Sequence, residues 1–362
     1  MKTVWIVTHN LHGGGCERVI SILANRFVND GLSVMILPEY TSDCFYRLDP
    51  RVAVRPLSDK SSMRAKDVLP VYTELRRRVM RERPDVVLAM PEKVNVWAVL
   101  FLIGTGVPVA VSERNDPLRH PKSRIKRFLR RLVYPFAAGF IFQTERQAAY
   151  FKESIRRRGV VLDNPFEADG LPRPYAGERE KSVVSAGRLE EQKNFSLLVE
   201  AFDQFHTAHP DWKLTVYGEG AEREKLQNLV AARGLTGAVS FPGQTKALSA
   251  RIARAGMFVL SSDYEGMPNA LIEAMAQGLP SISTDCPAGG PARLITDGEN
   301  GLLAPVGDPD TLAAAMARIA DGPELAKKLS ENAAKVCARL DAAHVAEKWR
   351  GYLEGIVIQK NR

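Results

Sequence analysis

The sequence predicts an α/β protein built from two doubly wound domains. Short apolar runs of β type alternate with helical stretches in both halves of the chain. Apolar strands separated by helices are typical of a parallel sheet covered on both faces. A chain of 362 residues is longer than one hydrophobic core usually supports, so two domains are expected. A stretch rich in Pro, Gly and charge, residues 164–181, is predicted to link them.

The individual strands follow from the apolar runs. In the first half they are Val4–Thr8, Ser33–Leu37, Asp85–Ala89, Val107–Val111 and Gly139–Phe142. In the second half they are Ser182–Ala186, Lys213–Tyr217, Val239–Phe241, Phe258–Leu260 and Ser281–Ser283. The region 311–358 is predicted to be mostly helical.

These elements predict an N-terminal domain of residues 1–167 and a C-terminal domain of residues 168–341. A final helix, at about residues 342–362, is expected to pack back on the first domain. Ligands bind beyond the carboxyl ends of parallel strands, so the cleft between two such domains is the expected site.

Composition excludes several classes of protein. Hydrophobic residues make up 45% of the chain and charged residues 25%, which is typical of a globular protein and not of a disordered or fibrous one. The four cysteines lack C-x-x-C spacing, which argues against a disulfide framework or a zinc site and fits a reducing cytoplasm. The N-terminus lacks the long apolar region of a signal peptide.

One uncharged stretch, Val94–Val111, approaches the length of a membrane-spanning helix. Gly104, Gly106 and Pro108 interrupt it, so a helix, a turn and a buried strand are predicted instead. No transmembrane segment is expected.

Charge is distributed unevenly. Residues 1–165 contain 28 Lys and Arg against 16 Asp and Glu, a net charge of +12, whereas the remainder carries −4. This asymmetry suggests that the N-terminal half meets something anionic, such as a lipid surface, a phosphorylated acceptor or nucleic acid.

A glycine-rich turn, Gly13-Gly14-Gly15, follows the first strand and precedes a helical pattern. Glycines let backbone approach a ligand, and a helix N-terminus offers free N–H groups to an anion. Arg18 stands where a dinucleotide fingerprint has its third glycine, and no Walker lysine follows. The turn alone is therefore equally consistent with a structural turn and with a phosphate-binding loop.

Two cations in the second half are candidates for binding a diphosphate. Gly187-Arg188 ends a strand, and Lys193 opens the next helix, so both side chains start near one edge of the sheet. Taken alone, they are better read as two solvated surface charges.

A second motif supports the binding interpretation. Gly266-Met267-Pro268-Asn269 precedes an apolar helix, and Asn269 is predicted to be its N-cap. Such a turn presents backbone donors to phosphate or sugar oxygens, while the carboxylates of Glu265 and Glu273 accept hydrogen bonds from hydroxyls.

Together, Gly187-Arg188-Leu189, Gln192-Lys193-Asn194 and the pair Glu265-x7-Glu273 resemble glycosyltransferase family 4, the retaining GT-B enzymes. The glycine turn, Gly218-Glu219-Gly220 and Phe241-Pro242-Gly243 occur in the order that this family shows, so the resemblance covers nearly the whole chain. It implies the GT-B fold, in which two Rossmann-like domains face each other across a cleft.

The resemblance implies catalytic roles for three residues. Arg188 and Lys193 would neutralise the departing nucleoside diphosphate, and Glu265 would bind a hydroxyl of the donor sugar. Glu273 would bind the ribose. The other residues implied for the nucleotide sugar are Gly14, Gly15, Gly187, Gly218, Gly243, Gly266, Met267 and Asn269.

The same resemblance implies retention of anomeric configuration, with the β-phosphate taking the proton of the acceptor hydroxyl. No protein nucleophile, no cofactor and no metal are then expected beyond the UDP-sugar substrate. The single D-x-D, at Asp308, is predicted to start a helix.

The chain departs from the family pattern at two places. After the fifth strand, many members carry Glu-His where this chain has Glu113-Arg114, so Arg114 is expected to contact a donor or acceptor phosphate. Glu113 and His120 are further candidates for contact with the acceptor, which is expected in the N-terminal domain. Arg293 replaces the usual glutamate, and its role stays open.

A basic amphipathic helix is predicted near residue 128. Basic residues alternate there with apolar ones, the basic set being Lys122, Arg124, Lys126, Arg127, Arg130 and Arg131. With Arg76–Arg78 and Arg156–Arg158, it favours peripheral contact with an anionic membrane, here the inner face of the cytoplasmic membrane. Each triplet alone is better read as a solvated surface.

Membrane contact would suit a polyprenyl-diphosphate-linked saccharide acceptor in the assembly of bacterial surface polysaccharide or glycan. The segments near 112–117 and 285–291 are similar to members that add N-acetylhexosamines such as GalNAc to such carriers.

One alternative is a UDP-sugar 2-epimerase of GT-B architecture, which the paired glutamates disfavour. A basic nucleic-acid-binding protein is another, but the sequence has no recognised nucleic-acid motif, so no nucleic acid partner is expected.

Overall fold

The computed structural model describes residues 1–168, 174–175 and 177–360, which form two compact units. Unit 1 comprises Met1–Glu167 together with the segment from Leu340 onward, and unit 2 comprises Ala168–Arg339. Part of the predicted linker, at 169–173 and 176, lies outside the described residues, as do the last two positions of the predicted C-terminal helix.

Unit 1 contains a parallel sheet of seven strands in the order β3-β2-β1-β4-β5-β6-β7. Its strands are β1 Thr3–Thr8, β2 Ser33–Pro38, β3 Ala53–Val54, β4 Val86–Ala89, β5 Val109–Ser112, β6 Gly139–Phe142 and β7 Gly159–Val161. The helices between them are α1 Gly15–Asn29, α2 Val68–Glu82, α3 Glu92–Leu102, α4 Arg124–Val133, α5 Glu145–Ala149 and α6 Glu153–Arg156.

Both faces of this sheet are buried. Val4 and Ile6 of β1 enter one apolar core, while Trp5 and Val7 of the same strand enter another on the opposite face. Successive side chains of a strand point to opposite faces, so a doubly covered strand must be apolar at every position. This is why the strands of unit 1 read as continuous apolar runs.

Unit 2 contains a parallel sheet of six strands in the order β10-β9-β8-β11-β12-β13. Its strands are β8 Glu180–Ala186, β9 Lys213–Tyr217, β10 Val239–Gly243, β11 Ala255–Leu260, β12 Ser281–Thr284 and β13 Leu302–Ala304. Its helices are α7 Phe195–Ala208, α8 Arg223–Ala232, α9 Leu248–Ile252, α10 Asn269–Ala276, α11 Gly290–Leu294, α12 Pro309–Asp321, α13 Pro323–Ala333 and α14 Val336–Arg339.

The last helix, α15 Ala342–Lys360, belongs to unit 1. Trp349 of α15 is fully buried in the core that also contains Ile20 and Phe27 of α1. Its indole Nε1 donates to the Asp163 carbonyl at 3.2 Å. Helix α15 is thus a structural part of unit 1. The predicted fold class, an α/β chain of two doubly wound units, is confirmed.

Candidate functional site

Each sheet has a switch point, where the strand order reverses beside its first strand. In unit 2 it lies between β8 and β11. Gly187 and Arg188 follow β8 directly, and Ser261 and Ser262 follow β11. Because ligands of open α/β sheets bind beyond the carboxyl ends of the strands at such a point, these two loops form the candidate site of unit 2.

An ion pair between Lys193 and Glu265 occupies this position. Lys193 Nζ bonds Glu265 Oε1, which also accepts a hydrogen bond from the Ser262 hydroxyl at 2.6 Å. The two charged side chains are only 15% and 8% exposed. A charge so poorly hydrated is retained only if it is paired. The pair therefore places a cation and an acceptor carboxylate together at the switch point.

Several hydrogen bonds join the two loops that carry this pair. Asn194 Nδ2 donates to Asp263 Oδ1 at 2.7 Å, and the Asp263 N–H donates to the Gln192 carbonyl at 3.0 Å. The Ser261 hydroxyl donates to the Lys193 carbonyl at 2.9 Å. These contacts fix the position of Lys193 relative to the end of β11. Asp263, Ser261 and Ser262 have no role in the sequence prediction.

Three of the predicted glycines lie together at the same edge. The Gly218 N–H donates to the Gly243 carbonyl at 3.0 Å. Gly218 has a φ of 149°, and a Cβ there would lie 1.8 Å from the Gly187 carbonyl oxygen. Only glycine allows this approach of two backbones. A Cβ on Gly187 would lie 3.1 Å from Cε of Lys193, so Gly187 leaves the backbone bare beside the cation.

The turn before α10 differs from the prediction in one respect. Helix α10 begins at Asn269 itself, and Pro268 occupies the N-cap position without a side-chain cap. The predicted N-cap role of Asn269 is therefore wrong, because Pro268 already has the extended backbone of a cap. The turn packs instead through Gly290, which the sequence prediction missed: a Cβ there would lie 1.3 Å from the Gly266 carbonyl oxygen.

The remaining predicted residues of unit 2 occupy distinct environments. Met267 is buried. Glu273, in α10, accepts a hydrogen bond from the Ser249 hydroxyl at 3.2 Å. Arg188 bonds Glu190 at 2.9 Å, and the two side chains are 64% and 45% exposed. An exposed pair of this kind contributes little to stability, so Arg188 can change partner at low cost whereas Lys193 cannot.

In unit 1 the switch point lies between β1 and β4. Gly14 and Gly15 lie beyond β1, where Gly14 is the N-cap of α1 and makes no side-chain cap. A Cβ on Gly14 would lie 2.3 Å from Glu17 Oε2, so a carboxylate of the first turn lies beside the start of α1. The predicted contact of Gly14 and Gly15 with the donor diphosphate stays a prediction.

Glu113, at the end of β5, is fully buried. Its carboxylate accepts a hydrogen bond from the Tyr134 hydroxyl and bonds Arg130 Nη1 at 3.3 Å. Burial raises the pKa of Glu113 to about 7, an effect that Arg130 opposes and Glu92 reinforces. In this structure Glu113 contacts the protein interior, and its predicted contact with an acceptor stays a prediction.

Arg114 and His120 lie close to Glu113 in the chain. Arg114 Nη2 donates to Asn164 Oδ1, and the guanidinium lies 5.9 Å from the ring centre of Trp349. Its Nε and Nη1 are buried and make no hydrogen bond within the part of the chain that the structure describes. The His120 carbonyl accepts a hydrogen bond from Arg130 at 2.9 Å.

Helix α4 is amphipathic, but one of its predicted surface cations is buried. Arg130 is 1% exposed and bonds Glu113 and the carbonyls of Pro117 and His120. Its predicted position on a membrane-facing surface is therefore wrong. The sequence pattern of a basic helix does not show that one of its arginines pairs with a buried carboxylate on another element, here Glu113. Ile125, Phe128 and Leu132 are 73%, 59% and 53% exposed and share one face by their spacing.

The two arginine triplets make many contacts inside unit 1. Arg76 donates to the carbonyls of Phe101 and Ile103, both at 2.8 Å. Arg77 and Arg78 bond Glu74, and Arg77 foremost lowers the pKa of that carboxyl to about 2. In the other triplet, Arg157 bonds the Glu153 carboxylate, and Arg158 donates to three backbone carbonyls. These bonds reduce the support that the triplets give to a membrane surface.

Asp308 accepts a hydrogen bond from the Thr311 N–H at 3.0 Å and so caps α12, which confirms its predicted role as a helix start. Within the described ranges, no three or more His, Cys, Asp or Glu side chains group as they would around a metal ion. None of the helices in those ranges has the length and apolar character needed to cross a membrane.

Two family models match the chain. The Glycosyl transferase 4-like domain matches residues 14–165, and Glycosyl transferases group 1 matches residues 173–336. The first match lies in unit 1 and the second in unit 2. The ion pair and the glycine cluster described above fall within the second.

The chain is also similar over its whole length to a curated relative and to solved structures. The relative, from Campylobacter jejuni, is a GalNAc-α-(1→4)-GalNAc-α-(1→3)-diNAcBac-PP-undecaprenol α-1,4-N-acetyl-D-galactosaminyltransferase. It is 26% identical over 354 residues, covering 96% of this chain and 97% of that protein.

Sucrose-phosphate synthase from Thermosynechococcus elongatus matches with a TM-score of 0.88 at 18% identity, covering 99% of this chain and 100% of that structure. HepE from Anabaena, solved with UDP and glucose, matches with a TM-score of 0.81 at 17% identity, with coverage of 98% and 100%. At these identities the likeness shows a shared fold.

Proposed function

This chain belongs to the GT-B glycosyltransferases of the group 1 family, and from that premise we propose that it transfers an N-acetylhexosamine from a UDP-sugar to a polyprenyl-diphosphate-linked glycan with retention of configuration. The observation that carries the proposal is the Lys193–Glu265 pair at the switch point of unit 2, beside bare glycine backbone. The relative with a lipid-linked acceptor in its name supports the acceptor class.

The chemistry requires charge at this place. When the bond between the anomeric carbon and the phosphate oxygen breaks, negative charge develops on the diphosphate, and a fixed cation stabilises that charge without reorganisation. Lys193, little exposed and held by Glu265, is such a cation. Arg188 adds a second charge once it leaves its exposed partner Glu190. Two cations make a metal ion unnecessary, so metal-independent turnover is proposed.

The other donor contacts follow from the same edge. Gly187, Gly218 and Gly243 let the nucleotide diphosphate approach the backbone. Glu265 accepts a hydrogen bond from a hydroxyl of the transferred sugar, and Glu273 accepts hydrogen bonds from the ribose hydroxyls. Backbone groups of the Gly266–Asn269 turn hold sugar and phosphate oxygens.

The proposed retaining step needs no protein nucleophile. The acceptor hydroxyl attacks the anomeric carbon from the face that the diphosphate leaves, and its proton passes to the departing β-phosphate oxygen. The new bond forms as the old one breaks, and the products are the glycoside and UDP. A glycoside product with inverted configuration at the anomeric carbon of the transferred sugar would overturn this part of the proposal.

We assign acceptor binding to unit 1. Arg114 supports the assignment, because its buried Nε and Nη1 make no hydrogen bond within the described residues and an acceptor phosphate would satisfy them. Gly14 and Gly15, at the start of α1, are proposed to contact the donor diphosphate. Glu113 and His120 are proposed to hold the loop that carries Arg114.

The exposed face of α4 supports contact with the inner face of the cytoplasmic membrane. Its apolar residues Ile125, Phe128 and Leu132 are flanked by exposed cations at Lys122, Arg124, Lys126 and Arg131. An apolar stripe between cations is the pattern of a helix that lies in the interface of an anionic bilayer. A lipid-linked acceptor would be reached from such a position.

Calorimetric titration with UDP, GDP and UDP-sugars, with and without magnesium, tests the donor site. We expect selective UDP binding that does not need magnesium. Glu273→Ala should weaken it at least tenfold, whereas Glu331→Ala, an exposed glutamate of α13, should leave it unchanged. Absence of nucleotide binding would overturn the proposed function, and release of free sugar or epimer without acceptor would replace it with an epimerase.

A further inference from the structure

A second group of polar side chains lies at the switch point of unit 1. His9 directly follows β1, which borders that point, and Glu39 directly follows the neighbouring β2. Both therefore leave the sheet at its carboxyl edge, where ligands of such sheets bind. The donor site proposed above uses neither residue.

Glu39 is a buried carboxylate, 5% exposed, with both oxygens engaged. Oε2 bonds Nδ1 of His9, and Oε1 accepts the Tyr72 hydroxyl at 2.6 Å. Burial next to Glu39 raises the pKa of Tyr72 well above its usual value, so this hydroxyl remains a donor. In a neutral imidazole, a carboxylate at Nδ1 selects the tautomer that has its proton on Nδ1 and its lone pair on Nε2.

The other ring nitrogen of His9, Nε2, has only a long contact within the described residues. The His9 side chain is 22% exposed. Its Nε2 lies 3.5 Å from the Tyr40 hydroxyl, the outer limit of a hydrogen bond, so a shorter bond with a ligand hydroxyl is favoured. Asn10 Nδ2 donates to the Tyr40 hydroxyl at 2.9 Å, and the His9 and Tyr40 rings meet edge to face at 5.1 Å. Oriented polar groups beside aromatic rings suit a sugar.

We propose that His9, oriented by Glu39 and Tyr72, accepts a hydrogen bond at Nε2 from a hydroxyl of the acceptor sugar and so sets the position of that sugar in unit 1. The inference rests on the proposed function, since it needs a saccharide acceptor. His9 contacts the substrate, while Glu39 and Tyr72 are positioning residues that act through it.

His9→Asn is the sharpest test, because the asparagine amide can still donate to Glu39 while nothing replaces Nε2. With a panel of undecaprenyl-diphosphate-linked GalNAc-terminated saccharides, the KM for the best-used acceptor should rise about tenfold, the value of one hydrogen bond. The UDP affinity should not change. His344→Asn, an exposed histidine of α15, is the matched control and should behave as wild type.

Acceptors that lack one hydroxyl identify the contact. One monodeoxy form of the terminal sugar should raise the wild-type KM about tenfold, yet add nothing to the effect of His9→Asn, as a double-mutant cycle requires for interacting groups.

Tyr72→Phe, which removes one of the two bonds to Glu39 and keeps the ring, should raise the acceptor KM by a smaller factor with UDP affinity and kcat preserved.

The outcomes separate this inference from the proposed function. Three results would overturn the role of His9 and leave the proposed donor site intact. They are an unchanged acceptor KM in His9→Asn, a loss of UDP affinity as large as the rise in the acceptor KM, and additive effects for every deoxy acceptor. A wild-type protein that binds no UDP would remove the proposed function itself and, with it, this inference.

Discussion

Lys193→Met removes the charge of the nearly buried lysine while keeping the length of the side chain. Glu265 would remain 8% exposed without its cation, and breaking a buried ion pair in this way costs about 3–5 kcal/mol. If Lys193 also stabilises the departing diphosphate, kcat falls by roughly 10²–10³. The single variant therefore combines a loss of stability with a loss of turnover.

A double variant separates the two effects. In Lys193→Met/Glu265→Gln neither member of the pair carries a charge, and the introduced amide can still bond the Ser262 hydroxyl, so most of the stability should return. The leaving group would still lack its cation, so turnover should stay low. Urea unfolding reports the stability, and initial rates of UDP release at saturating donor and acceptor report the turnover.

Lys181→Met is the control for removal of a lysine in unit 2. Its partner is Asp211, and the two side chains are 65% and 54% exposed, so the expected change in stability is within about 0.5 kcal/mol. Should the double variant regain both stability and turnover, Lys193 would have a structural role only, and the assignment of the leaving-group cation would be refuted.

Three further predictions follow from the geometry. Gly218→Ala places a Cβ 1.8 Å from the Gly187 carbonyl oxygen at a φ of 149°, so it should strongly lower the urea midpoint of unit 2. Gly237→Ala is the control, because a Cβ there meets nothing within 4 Å, and it should leave the midpoint unchanged. Equal midpoints for the two variants would contradict the packing argument. Phe128→Asp on the exposed face of α4 should reduce sedimentation of the protein with anionic liposomes at least tenfold. Leu69→Asp, which changes a similarly exposed residue of α2, should leave sedimentation unchanged. An equal loss of sedimentation in both variants would refute a membrane-binding role specific to α4. Burial raises the folded-state pKa of Glu113 from 4.5 to about 7, so between pH 4.5 and 7 the folded protein binds more protons than the unfolded chain. The free energy of unfolding should therefore fall as the pH rises from 4.5 to 7, by on the order of 3 kcal/mol at most. Urea unfolding across this range should show a shallower decline for Glu113→Gln, and parallel slopes would show that Glu113 is not the titrating group.

The longer strands of unit 1 were predictable because they are apolar at nearly every position, and those of unit 2 because β-branched, aromatic or other apolar residues stand among their polar ones. Gly139–Phe142 and Lys213–Tyr217 begin and end where the sequence predicts. Strands β3, β7 and β13 were missed, since runs of two or three residues at a sheet edge carry too little pattern to distinguish them from loops.

The motifs of the site were visible in the sequence, but their contacts were not. Lys193 and Glu265 are 72 positions apart, and helical or strand periodicity gives no information on such a pair. Arg130 looked like its basic neighbours because its partner Glu113 lies on another element. His9 and Glu39 are recognisable in the sequence, because each is a polar residue that directly follows an apolar strand.

The position of α15 has a consequence for how the protein is made. Unit 2 lies between two segments of unit 1 in the chain, and Trp349 of α15 fills the core beside α1. On the ribosome, unit 2 has all of its residues before unit 1 does, although the synthesis of unit 1 begins first. The core residues of α1 that pack with Trp349 thus lack this partner, and are open to chaperones and to other nascent chains, until α15 has been synthesised.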